Sequence, residues 1–403
     1  MDLLKLMNNT TSDIQITKYT KKLSLDGETK AYQVYKINLD KLFYNDQNDR
    51  IATWLSKFKS EKHEFPEEIE KKNQIIERFI IESNQDKIKK TTNNIKLFGQ
   101  REPGIVLKDG RIIDGNRRFT CLRQLFRENP LNFKYFEAVI LDKDIENDLK
   151  QIKLLELAVQ HGEESKVDYN PIDRLVGIYN DVIKNKLLTP DEYIQSANMK
   201  KSHFESKVLE AQLMADFLEY INQNENFYIA RDLELDGPLN ELVQIVKKAN
   251  EDDVEDVKNA AFNLMALHTS SQMTPEIRKI KKIINSNDDS LKVFLNEQQE
   301  IGEELLTKLS EGDVESCDAL RDISNDTLLI RKARVSLNRA YENAGITNAK
   351  KAPIVYSGKA VEILNRIDLN IIQKLEVDDI SELSENLDTL ERLIQNIREK
   401  LNV

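Results

Sequence analysis

The spacing of apolar residues changes rhythm along the chain. Residues 32–42, YQVYKINLDKL, alternate in part and are rich in β-formers, which predicts a strand. The polar run 45–50, NDQNDR, reads as a turn, and 51–60 and 66–98 have apolar positions at helical spacing, with Gly99 as a stop. Next come two short β-runs, GIVL and RII, around Asp109-Gly110, a strong hairpin signal. Directly after Gly115 the period turns helical in NRRFTCLRQLFREN, and 136–141, FEAVIL, reads as a closing strand. Strand, helix, hairpin, helix, strand is the order of a compact α+β domain, placed at 1–145. Beyond residue 146 the pattern is helical almost to the end, punctuated by Pro171, Pro190, Gly237-Pro238, Pro275 and Pro353. Two stretches, 227–237 and 352–358, are expected as loops or short strands. A helical segment at 146–219 and an acidic helical region at 220–403 complete the expected organisation.

The final segment carries Leu383, Leu387, Leu390, Leu393, Ile394 and Ile397 at spacings mostly of three and four. That stripe fits one helix of a bundle or a dimer-forming coiled coil. Charge sharpens the division. Residues 1–150 hold 28 Lys+Arg and 24 Asp+Glu, whereas the rest hold 31 and 46, within a net −11 for the 403-residue chain. Broad nonspecific coating of DNA is therefore disfavoured, although a local basic reading surface is not. No run of about 18 apolar residues predicts a membrane span, and the first residues lack the basic-then-apolar order of a secretion signal. Two distant cysteines, Cys121 and Cys317, make neither a disulfide framework nor a metal knuckle. A cytoplasmic location is the default. His63, His161 and His268 stand alone, without a metal-binding pattern.

Candidate chemistry concentrates at Asp114-Gly115-Asn116-Arg117-Arg118-Phe119. A strand ends, a glycine permits a tight path, and two arginines open a helix. Helix-start N–H groups and arginine forks suit a phosphate chain. An ordinary capped helix with solvated arginines is the plainer reading. A second candidate begins at Leu188. TPDEYIQSAN reads as a short helix with Thr189 as N-cap and Pro190 behind it, then a turn at 198–201, then a helix capped by Ser202. This is helix-turn-helix spacing. Lys200 and Lys201 would meet phosphates, and Ser202, His203, Glu205, Ser206 and Lys207 would face a DNA groove. A helical hairpin within a bundle is the competing reading, favoured by acids at 191, 192, 205 and 210.

Several boxes follow in order: Ile37-Asn38-Leu39-Asp40-Lys41-Leu42 with Asn45 and Arg50, then Gln100 to Val106, Gly115-Asn116-Arg117-Arg118, Asp168-Tyr169-Asn170-Pro171-Ile172-Asp173, and Leu188-Thr189-Pro190-Asp191-Glu192. In this order they resemble the boxes of the ParB family. Together they span about residues 32–215. The resemblance implies an N-terminal ParB/sulfiredoxin-like fold, then an all-α helix-turn-helix segment and a helical C-terminal region. It also implies a nucleoside triphosphate, CTP-like, with Mg²⁺. Gly115, Asn116, Arg117 and Arg118 would line the phosphates, with Arg50 and Gln100 nearby. The family box preceding the Asn-Pro motif is not preserved at Gly162, Glu163 and Lys166; Glu163 or Glu164 is left to hold a hydrated cation. Asp114 is expected to cap the phosphate-site helix. Position 116 is asparagine, which rules out the sulfiredoxin reductase chemistry, and Cys121 is expected as a small buried apolar residue.

The functional expectation is a nucleotide-regulated DNA-binding protein, active in partition, transcription control, mobile elements or phage defence. It would be a homodimer, with a protein partner at the acidic C-terminal region and a weak nucleoside triphosphatase activity left open. The alternative is a nuclease or phosphotransferase on the same fold.

Overall fold

The computed structural model describes residues 1–7, 13–25, 28–162, 170–267, 273–286, 289–311 and 326–401. They form two compact units, 1–285 with 289–341 and 286–288 with 342–403.

The first unit opens on α1 (Leu3–Met7) and a six-stranded sheet: β1 (Ile14–Leu25), β2 (Glu28–Asn38), β3 (Phe43–Tyr44), β4 (Gly104–Leu107), β5 (Arg111–Asp114) and β6 (Tyr135–Leu141). Their spatial order is β1-β2-β6-β4-β5-β3. The pairs β1/β2, β2/β6 and β4/β5 are antiparallel, while β4/β6 and β3/β5 are parallel. Alternate residues of the middle strands enter different cores. Val106, Ile112, Phe136, Ala138 and Ile140 face one; Ile105, Leu107, Ile113, Val139 and Leu141 face the other. Burial on both sides explains why GIVL and FEAVIL read as near-continuous apolar runs.

The first face is covered by α2 (Ala52–Ser60), α3 (Ile69–Ser83), α4 (Gln85–Phe98) and α5 (Asn116–Glu128), through Ile76, Phe79, Ile88, Phe119, Leu122 and their neighbours. The second face is covered by α6 (Ile145–Gly162), whose Ile152 and Leu155 pack on Leu23, Val34 and Val139. The hairpin turns through Gly110 at φ +97°, a conformation that favours glycine.

Four expectations change here. The strand expected at 32–42 is β2, which ends at Asn38 in a 3-10 turn, and it is preceded by a twelve-residue partner, β1, that the pattern did not show. The helix expected at 66–98 is two helices, broken at Asn84, whose side chain accepts from the N–H of Lys87 and starts α4. Residues 227–237 are helical: α10 (Phe227–Asp232) buries Phe227, Tyr228 and Ile229, and α11 (Asp236–Val246) follows. Their β-forming side chains are held by burial in the large helical core, which overrides local propensity.

The helical part of the first unit also contains α7 (Pro171–Ile178), a π-helical turn (Tyr179–Lys184), α8 (Pro190–Ser196), α9 (Lys201–Tyr220), α12 (Val254–Ala266), α13 (Met273–Ile284) and α14 (Ser290–Glu311). The long helix α15 (Thr327–Leu364) runs straight through 352–358 with Pro353 inside it, the fourth change. In the second unit α16 (Leu369–Ile372) and α17 (Val377–Leu401) follow. Along α17, Leu387, Leu393, Ile394 and Ile397 are about half exposed, and Leu383 and Leu390 are partly buried. Among the described residues no helix is long and apolar enough to cross a membrane.

Candidate functional site

The turn after β5 is built by sterics. Gly115 stands at φ +102°, and a Cβ there would meet the Phe136 ring at 2.8 Å. A larger residue would both strain the backbone and push into the core. The glycine thus lets β5 pass directly into α5, whose first N–H groups lack carbonyl partners within the helix. Asn116, only 9% exposed, leaves its Oδ1 without a hydrogen-bond partner.

Arg117 follows, half-buried. Among the described residues no carboxylate pairs with it; its electrostatic neighbours are Arg50 and Arg118, the Cys121 thiol and, through its own shift, Lys87. Burial first, then the Arg50 cation, holds the guanidinium below its ordinary pKa. Lys87, at the start of α4, is lowered by burial and by Arg117. A half-buried guanidinium among cations, with no carboxylate of its own among the described residues, suits an anion.

Arg118 is differently placed. It donates to Asp114 Oδ2 at 2.9 Å and to the Glu102 carbonyl at 2.6 Å. Asp114 is therefore an ion-pair partner, also 3.7 Å from Lys21 Nζ, and not the expected helix cap: Gly115 is the N-cap and no side chain caps it. Its left-handed backbone takes the position that a capping carboxylate would need. Gln100 spends its amide on main chain, donating to the carbonyls of Glu137 and Glu102 and accepting from the Glu137 N–H at 2.8 Å. Arg50 sits in the 3-10 turn Asp49–Ile51, whose cap Asn48 accepts from the Arg50 N–H. Cys121 is fully buried, and burial raises its thiol pKa. Glu163, Glu164, Lys166, Asp168, Tyr169, His268 and Cys317 lie outside the described residues, as does the side chain of His161.

The second candidate surface is the α8–α9 pair. Thr189 and Glu192 form a reciprocal capping box, with Pro190 behind it. The rings of Tyr193 and Phe204 lie 5.3 Å apart and hold the two helices together. The start of α9 differs from expectation by two residues. Lys200 is the N-cap, without a side-chain bond, and Ser202 lies inside the first turn. Lys200, Lys201, Ser202, His203 and Glu205 are exposed. Ser206 and Lys207 are occupied: Ser206 bonds the Ser202 carbonyl and accepts from Lys247 Nζ at 2.8 Å, and Lys207 pairs with buried Glu210 at 2.6 Å.

One cluster escaped the sequence reading. Lys153 on α6, with its side chain 8% exposed, lies 3.0 Å from Asp49, 3.4 Å from Glu156 and 3.9 Å from Asp181 in the π-helical turn. Asn45 donates to Glu156 at 2.9 Å, and Thr53 N–H donates to buried Asp173 on α7 at 2.9 Å. Arg231 reaches back from α10 to Thr53 Oγ1 and lies over the Trp54 ring, 4.3 Å from its centre. The only local hint is Lys153 and Glu156, one turn apart within the apolar run IKLLELAV.

No family model and no curated protein matches the chain. Several solved structures are similar to it, among them two ParB structures. One is a Pnob8-like ParB-N domain, 12% identical, covering 73% of this chain and 100% of its own, at a TM-score of 0.32. The other is the C-terminally truncated chromosome-partitioning protein ParB from Caulobacter crescentus complexed with CTP-gamma-S, 14% identical, covering 55% and 95%, at a TM-score of 0.18. With overlaps this low, what is read of the site rests on the chain's own residues.

Proposed function

We propose that the chain is a ParB-like DNA-binding protein regulated by a nucleoside triphosphate of the CTP class at the arginine turn. The observation that carries this is Arg117: half-buried, at the start of a thirteen-residue helix, beside Arg50, Arg118 and Lys87 and with no carboxylate partner among the described residues. A triphosphate supplies the missing negative charge and accepts from helix-start N–H groups. The buried, unpartnered Oδ1 of Asn116 supports a ligand with a donor of its own.

In this reading Gly115 and Asn116 shape the phosphate cradle, Arg117 grips, and Arg118, Arg50 and Gln100 hold the walls. Mg²⁺ would arrive with the nucleotide, with Glu163 or Glu164 as its candidate protein ligands. DNA would meet the exposed start of α9 at Lys200, Lys201, Ser202 and His203, with Ser206 and Lys207 behind them.

A second copy of the chain is the proposed partner of α17. Ile380, Leu387, Ile394 and Leu401 fall seven apart, and Leu383, Leu390 and Ile397 stand three beyond them, the a and d positions of a heptad repeat. Homodimerisation covers this stripe.

Isothermal calorimetry with CTP tests the site. Wild type is expected to bind, and Arg117→Ala to lose one charge-assisted contact of about 1.5–3 kcal/mol, roughly tenfold to hundredfold in affinity. Absence of wild-type binding at millimolar CTP, with circular dichroism reporting a folded chain, would sink the nucleotide reading.

A further inference from the structure

Lys153 faces three carboxylates from three different elements: Asp49 from the 3-10 turn, Glu156 from its own helix and Asp181 from the π-helical turn. Among the described residues the other titratable groups facing them are Asp173 and Arg174 on α7, Tyr193 on α8 and, through Asp173, Arg231 on α10. The packing is close. A Cβ on Gly177 would stand 3.2 Å from the Asp49 carboxylate. Glu156 and Asp181 are only 5% and 4% exposed, and Asp181 Oδ2 has no hydrogen-bond partner. Three ionised carboxylates around one ammonium leave an excess of negative charge that is poorly screened, because only Asp49 has appreciable contact with solvent. Uncompensated buried charge is expensive, and one bound proton relieves it.

We propose that this cluster is a proton-operated latch, fastening the Asp49–Ile51 turn to α6 and the π-helical turn when a carboxyl is protonated and loosening when all three ionise. Burial pushes both Glu156 and Asp181 up to about 7; Asp49 adds to this and Lys153 opposes it. Burial also raises Asp173, to about 6. In the unfolded chain such groups titrate near 4. The folded state therefore takes up protons between about pH 4 and pH 7, and stability falls as pH rises through that window and levels off above it.

The latch also reaches the arginine turn, because Asp49 and Arg50 are neighbours in one short turn. Loosening Asp49 frees the element that carries Arg50. This last step rests on the nucleotide reading; the latch itself does not.

The test uses the ligand-free full chain: wild type, Glu156→Gln and Asp181→Asn. Thermal unfolding is followed by circular dichroism from pH 6 to 8.5, with hydrogen exchange read over 49–60 and 179–188. Wild type is expected to lose roughly 1–2 °C in its midpoint between pH 6 and 8, the shift that one modest interaction makes against the unfolding entropy of a chain of this size. Each variant, lacking one ionisable group, is expected to show a flatter slope and a higher midpoint at pH 8. Exchange in both segments should rise with pH beyond base catalysis in wild type, and do so less in the variants. Parallel slopes in all three proteins would overturn the latch, and so would exchange that follows base catalysis alone. CTP takes no part in the measurement, so its outcome is separate from that of the calorimetry.

Discussion

Helix α5 carries four arginines, and its two ends treat them oppositely. In its C-terminal half, Arg123 donates to Glu77 at 2.9 Å and forks onto Glu70, while Arg127 makes two bonds to Glu77. Two cations meet two anions there, and the Glu77 side chain is only 4% exposed. At the N-terminal end, among the described residues, Arg117 meets cations and a thiol, and Arg118 shares Asp114 with Lys21. The matched end ties α5 to α3 and so orients the whole helix. Among the described residues no ion pair accounts for the charge of Arg117. Among residues of one type on one helix, incomplete pairing marks the ligand candidate more clearly than the residue type does.

Breaking the matched end should have the largest effect on folding. Arg123→Ala leaves Glu77 buried with a single, half-exposed partner in Arg127. A loss of about 3–5 kcal/mol is expected, read by urea unfolding; a loss below about 1 kcal/mol would mean that Arg127 alone suffices to compensate Glu77.

Arg118→Ala sharpens the contrast from the other end. It removes the bonds to Asp114 and to the Glu102 carbonyl, so it should cost about 1 kcal/mol of stability. It should also weaken CTP binding less than Arg117→Ala does. The reverse ranking by calorimetry would assign the grip to Arg118 instead.

The smallest effect on stability is expected at the start of α9, where exposed cations again open a helix. Lys200→Glu with Lys201→Glu should leave stability within about 0.5 kcal/mol. DNA affinity should fall at low salt, and the salt slope should lessen by roughly 0.9 for each lost phosphate contact. An unchanged gel-shift titration would remove these lysines from the DNA surface.

The α+β order of the N-terminal part was legible because its central strands and its hairpin carry strong local signals, GIVL, Asp109-Gly110 and FEAVIL. Strand β1 was not. It lies at the sheet edge, most of its residues are exposed, and a register shift between Ile16 and Thr20 breaks its alternation. The Asp26-Gly27 dipeptide between β1 and β2 was the available hint. At the site, the glycine turn was legible and the distribution of charge was not. Sequence alone could not separate Arg117 from Arg118, because Asp114 and the Glu102 carbonyl claim one of them only in three dimensions. The Lys153 cluster was beyond reach for the same reason: Asp49 lies 104 positions from the lysine that it meets.

Helix α6 has a consequence for how the chain is made. It is the cover for Leu23, Val34, Ile105, Val139 and Leu141 on the second face of the sheet, and it begins only after the last strand is complete. During synthesis that whole face waits, apolar and open, until the ribosome has delivered Ile152 and Leu155. A nascent chain held in that interval has its strands but not its lid. At that stage the open face is a site for association with neighbours, since exposed apolar sheet is what intermediates aggregate through.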